Sequence, residues 1–156
     1  MYYSTKLING FSTCFRQWKA KGTHCSYLHG YDIEFKVVFA AKELDHRNWV
    51  QDFGFLSRSQ FKFDGKQIKD WFKYMFDHTT VIAANDPYLK ELKKLNDMGV
   101  IQLRVIDSVG CERFAELVYN VLKICVEKES KNRVFVESVE CIENGKNSAI
   151  FKPNKL

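Results

Sequence analysis

Two short stretches carry the side chains best able to do chemistry. His24-Cys25-Ser26-Tyr27-Leu28-His29-Gly30-Tyr31 gathers a thiol, two imidazoles and phenols into one segment. As a thiolate, Cys25 is the strongest nucleophile and base there, and an imidazole neighbour is what lowers a thiol's pKa. The Cys25-x3-His29 spacing has three readings: a nucleophile loop, part of a metal site, or a polar loop without chemistry. A catalytic zinc takes about three protein ligands, so His24, Cys25 and His29 would have to converge with no further local donor. The second stretch is Asp77-His78. Adjacent side chains point apart, and a histidine at the negative end of a helix has an electrostatic reason to be there without catalysis. Taken from the residues alone, the two stretches permit thiol and imidazole acid–base chemistry.

These groups need elements to hold them. Residues 3–15 and 31–41 read as two long strands, the second with Ile33, Phe35, Val37 and Phe39 on one face and Asp32, Glu34 and Lys36 on the other. The polar, Gly-containing stretch from Lys19 to Ser26 is the loop between them. Glu43 to Phe55 reads as irregular, with a short strand near Val50. Ile68, Trp71, Phe72 and Met75 form a helical stripe within Gln67–Phe76 that places Asp77-His78 at its C-terminal end. Asp86-Pro87 predicts the start of a second helix, capped by Asp86 and stopping by Gly99. Ile101–Ile106 is a short strand, and Gly110–Glu129 is the strongest helix, with Phe114, Leu117, Val118, Val121, Leu122 and Cys125 on one face. Arg133–Ile142 and Ser148–Lys152 are strands joined by a turn at 144–147. The order predicts an α+β fold, with helices on one face of an antiparallel sheet.

Composition narrows the function classes. The 156 residues suit one domain (1–156), and 46% apolar content excludes a disordered chain. No apolar run is long enough to span a membrane, and the first residues lack a secretory h-region, which predicts a cytoplasmic protein. A net charge of +5, from 24 basic and 19 acidic residues, is scattered; Lys90, Lys93 and Lys94 share their stretch with Glu91. A nucleic-acid groove would need a denser basic stripe with interleaved aromatics, so neither nucleic acid nor membrane is expected as a partner. Five cysteines, an odd number with no Cys-x-x-Cys pair, predict reduced thiols.

Phe11-Ser12-Thr13-Cys14-Phe15-Arg16, Cys25-x3-His29-Gly30-Tyr31, Asp52-Phe53, Phe76-Asp77-His78, Cys111-Glu112-Arg113-Phe114-Ala115 and Val139-Glu140-Cys141-Ile142-Glu143 occur in that order. Together with Ala149 they resemble the family of 6-pyruvoyl tetrahydropterin and 6-carboxytetrahydropterin synthases, from about residue 4 to residue 152. The resemblance implies a T-fold: a four-stranded antiparallel sheet with helices on one face, whose copies join by strand edges into a barrel. It implies a homo-hexamer built as a dimer of trimers, which would also cover exposed strand edges. It implies 7,8-dihydroneopterin triphosphate as substrate and a product of the carboxy or pyruvoyl type, feeding queuosine-type or tetrahydropterin biosynthesis. Position by position, Cys25 matches the catalytic thiol, Asp77 and His78 the proton relay, and Glu143 the carboxylate that anchors the pterin ring. A carboxylate suits that task because it accepts two hydrogen bonds side by side. Glu112 matches a further glutamate near the pterin.

The family's zinc is held by three histidines, and here Phe15 and Tyr31 stand at two of those positions, leaving His29 as the surviving ligand. The site is incomplete unless His24 or Cys25 rearranges to supply a donor. Without zinc, charge stabilisation would fall to other donors such as Tyr31 or Arg16. Two readings follow: a divergent lyase of this type, or a catalytically altered T-fold module that binds a pterin or purine without turnover.

Overall fold

The computed structural model describes residues 1–154. Its frame is a pair of long antiparallel strands, β1 (Tyr2–Phe15) and β2 (His29–Ala41). The alternation read in β2 is carried through: Tyr31, Ile33, Phe35, Val37 and Phe39 are buried on one face. A bulge breaks the β1–β2 register between Ile8 and Phe11. Gly10 makes it, because its φ of 89° is a conformation that side-chain-bearing residues rarely adopt. Beyond the bulge Phe11, Thr13 and Phe15 face inward, in line with Ile8 before it.

After β2 the chain is irregular to α1 (Phe55–Arg58), a single turn. The strand expected near Val50 does not form; Asp45 instead ties this segment into a loop by accepting the N–H groups of Arg47 and Trp49. A two-residue hairpin follows, β3 (Lys62–Phe63) and β4 (Lys66–Gln67), turning at Asp64-Gly65 with both residues at positive φ. Then come α2 (Ile68–Phe76), β5 (Thr79–Ala83), α3 (Leu89–Asp97), β6 (Leu103–Ile106), α4 (Cys111–Glu129), β7 (Val134–Glu143) and β8 (Asn147–Phe151). The second helix starts at Leu89, later than Asp86-Pro87 predicted, because the Asp86 carboxylate takes the Tyr88 N–H and an arginine instead of capping a helix.

The main sheet has six strands in the order β6-β5-β1-β2-β7-β8, not four. The expected antiparallel set is β1, β2, β7 and β8; β5 and β6 add to the β1 edge in parallel. Thr79–Ala83 is buried at every position, so it has no alternation to betray it as a strand. α2 and α4 cover one face, and the core forms where their stripes meet the inward side chains of β1, β2 and β7. Phe11 stacks on Phe72 with ring centroids 5.9 Å apart, while Phe76 meets Phe35 at 4.9 Å and Phe114 edge-on at 5.5 Å. Burying each such ring is worth roughly 1.5–3 kcal/mol. Among the described residues, no helix is long and apolar enough to cross a membrane.

Candidate functional site

The end of β1, the start of β2, the end of β7 and the start of α4 meet at one end of the sheet, since Phe15 pairs with His29 and Ile33 with Glu143. That convergence places Phe15, His29 and Tyr31 together. They form an aromatic stack: Phe15 lies on Tyr31 with ring centroids 4.1 Å apart and planes 19° apart, and the His29 ring sits 4.2 Å beyond. Phe114 closes the other side edge-on at 4.9 Å, leaving Phe15 with no exposed surface. The Tyr31 hydroxyl and His29 Nε2 are 2.6 Å apart. Burial, and then the negative charges that Cys25, Glu143, Cys111 and Cys14 can carry, push the phenol's pKa up to about 12. The phenol therefore keeps its proton at neutral pH and shares a hydrogen bond with Nε2.

Zinc does not fit this donor set. Phe15 has no donor atom, Tyr31 resists ionisation, and His29 is the one imidazole left of the three positions. Among the described residues, no group of three or more His, Cys, Asp or Glu side chains is placed to hold a metal ion. His24 and Cys25, which a rearranged site would recruit, lie exposed on a short 3-10 turn, His24–Ser26.

That turn is held from below. The Gln17 N–H donates to the Cys25 carbonyl at 2.8 Å, and the Thr23 and Ser26 side chains close the loop on its own backbone. Arg16 supplies the strongest tie. Its Nε and Nη2 grip both oxygens of Asp86 at 2.8 Å each, while Nη1 donates to the Ser26 carbonyl at 3.3 Å. Arg16 is thus committed to Asp86 and to the thiol loop, and is not free to take over a metal's role. Burial by itself would raise the Asp86 carboxyl, but the Arg16 and Tyr88 hydrogen bonds outweigh it and hold that carboxyl below its usual range. Sequence reading assigned Asp86 to a helix cap; only the fold brings it back across seventy positions to Arg16.

Glu143, half-buried at the end of β7, faces the first turn of α4, where its Oε2 accepts from the Cys111 thiol at 3.4 Å. Cys111 also hydrogen-bonds Cys141, which together with burial pushes the Cys141 thiol up. Glu112 stands one residue along, exposed on the same turn. The turn starts at Gly110, whose φ of 122° and whose hydrogen in place of a Cβ let Gln17 Nε2 approach to within 3.1 Å of the Cβ position. The loop bearing Cys25 and the helix bearing Glu112 therefore touch through Gln17. Cys111 was read only as part of the stretch around Glu112 and Gln17 not at all, and the sequence holds no local sign of either contact.

Asp77 and His78 follow α2 directly. Asp77 Oδ1 accepts from the Ser12 N–H at 3.2 Å and pairs with His78 Nδ1 at 3.0 Å. His78 has a φ of 56°, and its backbone is fixed by Ser12 and Gln102. That left-handed step turns the chain from helix into β5 and leaves the imidazole 76% exposed. With Nδ1–H donated to Asp77, Nε2 is left open to exchange a proton. It borders a shallow depression that Ser12, Gly30, Tyr31 and Asp32 also line. Among the described residues, no hydrogen bond joins this pair to Cys25. Tyr31 is the residue common to both neighbourhoods.

A family model described as 6-pyruvoyl tetrahydropterin synthase matches residues 5–154. Among solved structures, the uncharacterized protein WS1659 from Wolinella succinogenes superposes with a TM-score of 0.77 at 20% identity, covering 98% of each chain. The 6-pyruvoyl tetrahydropterin synthase of Caenorhabditis elegans gives a TM-score of 0.60 at 16% identity, over 99% of this chain and 98% of its own. That of Plasmodium vivax gives 0.58 at 13%, over 99% and 100%. At these identities the structures speak for the fold alone. No curated protein sequence matches the chain.

Proposed function

Because the chain belongs to the 6-pyruvoyl tetrahydropterin synthase family, we propose that it is a divergent, cytoplasmic lyase of a single domain acting on 7,8-dihydroneopterin triphosphate. The observation that supports this most is the gathering of Cys25, Tyr31 and Glu143 at one end of the sheet, close enough for the first and last to disfavour ionisation of the phenol between them. A thiol able to act as base and a carboxylate able to anchor a ring thus lie near the same buried phenol.

In this reading Glu143 accepts from the ring N–H and amino group of the pterin, with Glu112 beside it. Cys25, as thiolate, removes a proton from the pterin side chain. Asp77 orients His78, and His78 passes the proton. In this reading the assembly is a homo-hexamer of two trimers with sites at its interfaces, where the relay of one copy reaches the thiol of another. The triphosphate leaves by elimination and the ring is reduced at the expense of its own side chain, giving a tetrahydropterin of the pyruvoyl type or, with the two terminal side-chain carbons released as acetaldehyde, of the carboxy type. Nothing in this scheme passes through a metal.

The test is single-turnover mass spectrometry with protein in excess over 7,8-dihydroneopterin triphosphate. A tetrahydropterin product, lost in Cys25→Ala, is expected, together with weaker ligand binding in Glu143→Ala. Turnover that survives Cys25→Ala removes Cys25 from the mechanism. Binding without any product replaces the lyase with a ligand-binding module.

A further inference from the structure

Glu143 ends β7 half-buried, and among the described residues no lysine or arginine pairs with it. The side chain that hydrogen-bonds its carboxylate is Cys111, thirty-two positions earlier at the first residue of α4, whose Sγ lies 3.4 Å from Oε2. The direction of that bond follows from counting protons. A thiol carries one proton and a carboxylate none, so Cys111 is the donor. Cys141 lies two residues before Glu143 and hence on the same face of β7. It is fully buried, and its thiol is hydrogen-bonded to Cys111. With the Cys111 proton given to Glu143, the Cys111 sulfur is what accepts from Cys141. The three side chains form one run of donors that ends on Oε2.

This contact orients the carboxylate without using it up. The thiol takes one of roughly four acceptor sites on the two oxygens, so Oε1 and the rest of Oε2 stay open to a ligand. A thiol is also a weak donor, and it leaves the negative charge in place where a bidentate arginine would neutralise it. We propose that Cys111 is a positioning residue for ligand recognition: its S–H, backed by Cys141, holds the Glu143 carboxylate in the plane in which it accepts two hydrogen bonds side by side. The proposal rests on the reading of Glu143 as the ring anchor. Cys111 acts through Glu143 and touches no reacting atom, so it sets how tightly the ring is held and not the chemistry at Cys25. All three side chains belong to one chain, and both thiols are buried, so the contact is independent of which surfaces a neighbouring copy covers.

Infrared spectroscopy of the S–H stretch tests the contact with no ligand present. Glu143→Ala is expected to raise the frequency of one S–H band, and to raise none when Cys111 is also replaced by alanine. Calorimetry with 7,8-dihydroneopterin tests the role. Cys111→Ala should weaken binding about fivefold, because the freed carboxylate must then be ordered at the moment of binding. Cys111→Ser keeps a donor and should recover part of that loss; it also serves if alanine unsettles the fold, which thermal unfolding will show. In turnover of 7,8-dihydroneopterin triphosphate the loss should fall on KM and leave kcat as in the parent. An S–H spectrum unmoved by Glu143→Ala, or equal affinity in parent and Cys111→Ala, would overturn the proposal and leave the reading of Glu143 standing. A fall in kcat at unchanged KM would place Cys111 in the chemistry and overturn it too. Parent protein that binds no 7,8-dihydroneopterin would overturn the reading of Glu143 and this proposal together.

Discussion

Replacing Arg16 by methionine tests how the thiol loop is held. The substitution keeps the aliphatic stem and removes the guanidinium that grips Asp86 through two 2.8 Å contacts. The Asp86 side chain has no exposed surface, and 18% of the Arg16 side chain is exposed. Breaking a buried pair by removing one partner costs about 3–5 kcal/mol, because the remaining charge is left desolvated. Partial exposure of Arg16 puts the expected loss at the lower end, about 3 kcal/mol. For a chain of this length that corresponds to a fall in Tm of roughly 6–12 °C. Urea unfolding of parent, Arg16→Met, Asp86→Leu and the double variant gives the coupling, and the double variant should recover most of the loss. The pH dependence supplies a second reading. The folded Asp86 carboxyl lies below its unfolded value of about 3.9. Its contribution to stability is therefore complete above that value and disappears as the pH falls through the lower, folded one. The gap between parent and Arg16→Met should be full at pH 6 and shrink towards pH 3. A loss below about 1 kcal/mol with no pH dependence, as for a surface pair, would refute the reasoning.

Two further outcomes are expected. Parent protein expressed with zinc should carry far less than one equivalent by elemental analysis, whereas Phe15→His/Tyr31→His, which puts three imidazoles where the stack now lies, should hold about one per chain; stoichiometric zinc in the parent would show that other donors complete a site. Among the five thiols, Cys25 alone is exposed and should be alkylated first in the folded protein, while Cys14 and Cys125 stay protected because burial raises their pKa, Cys125 to about 11.

Much of this protein is legible in its sequence. The long strands, the α2 and α4 stripes and the β7–β8 hairpin all follow from periods of two and 3.6, because an amphipathic element states its buried face in its own residues. Elements without a face of their own were not legible. Thr79–Ala83 is buried on both sides and so reads the same as any apolar run, and α1 is a single turn. The strands β5 and β6 are the reason the sheet has six members rather than four. The helix expected with Asp86 as its cap begins two residues later for a related reason: the carboxylate's choice between capping and an arginine seventy positions away is made by the fold.

The candidate site divides in the same way. The types and order of Cys25, Asp77-His78, Glu112 and Glu143 lie in the sequence, as does the absence of histidine at positions 15 and 31. The tertiary structure decided what those substitutions became. Phe15 and Tyr31 are brought together only because β1 pairs with β2 and α4 packs Phe114 against them, and the resulting burial keeps the phenol protonated and bonded to His29. The chain specifies which groups exist through composition and local period. Which of them meet, and in what protonation state, depends on contacts between distant segments and on the water those contacts exclude.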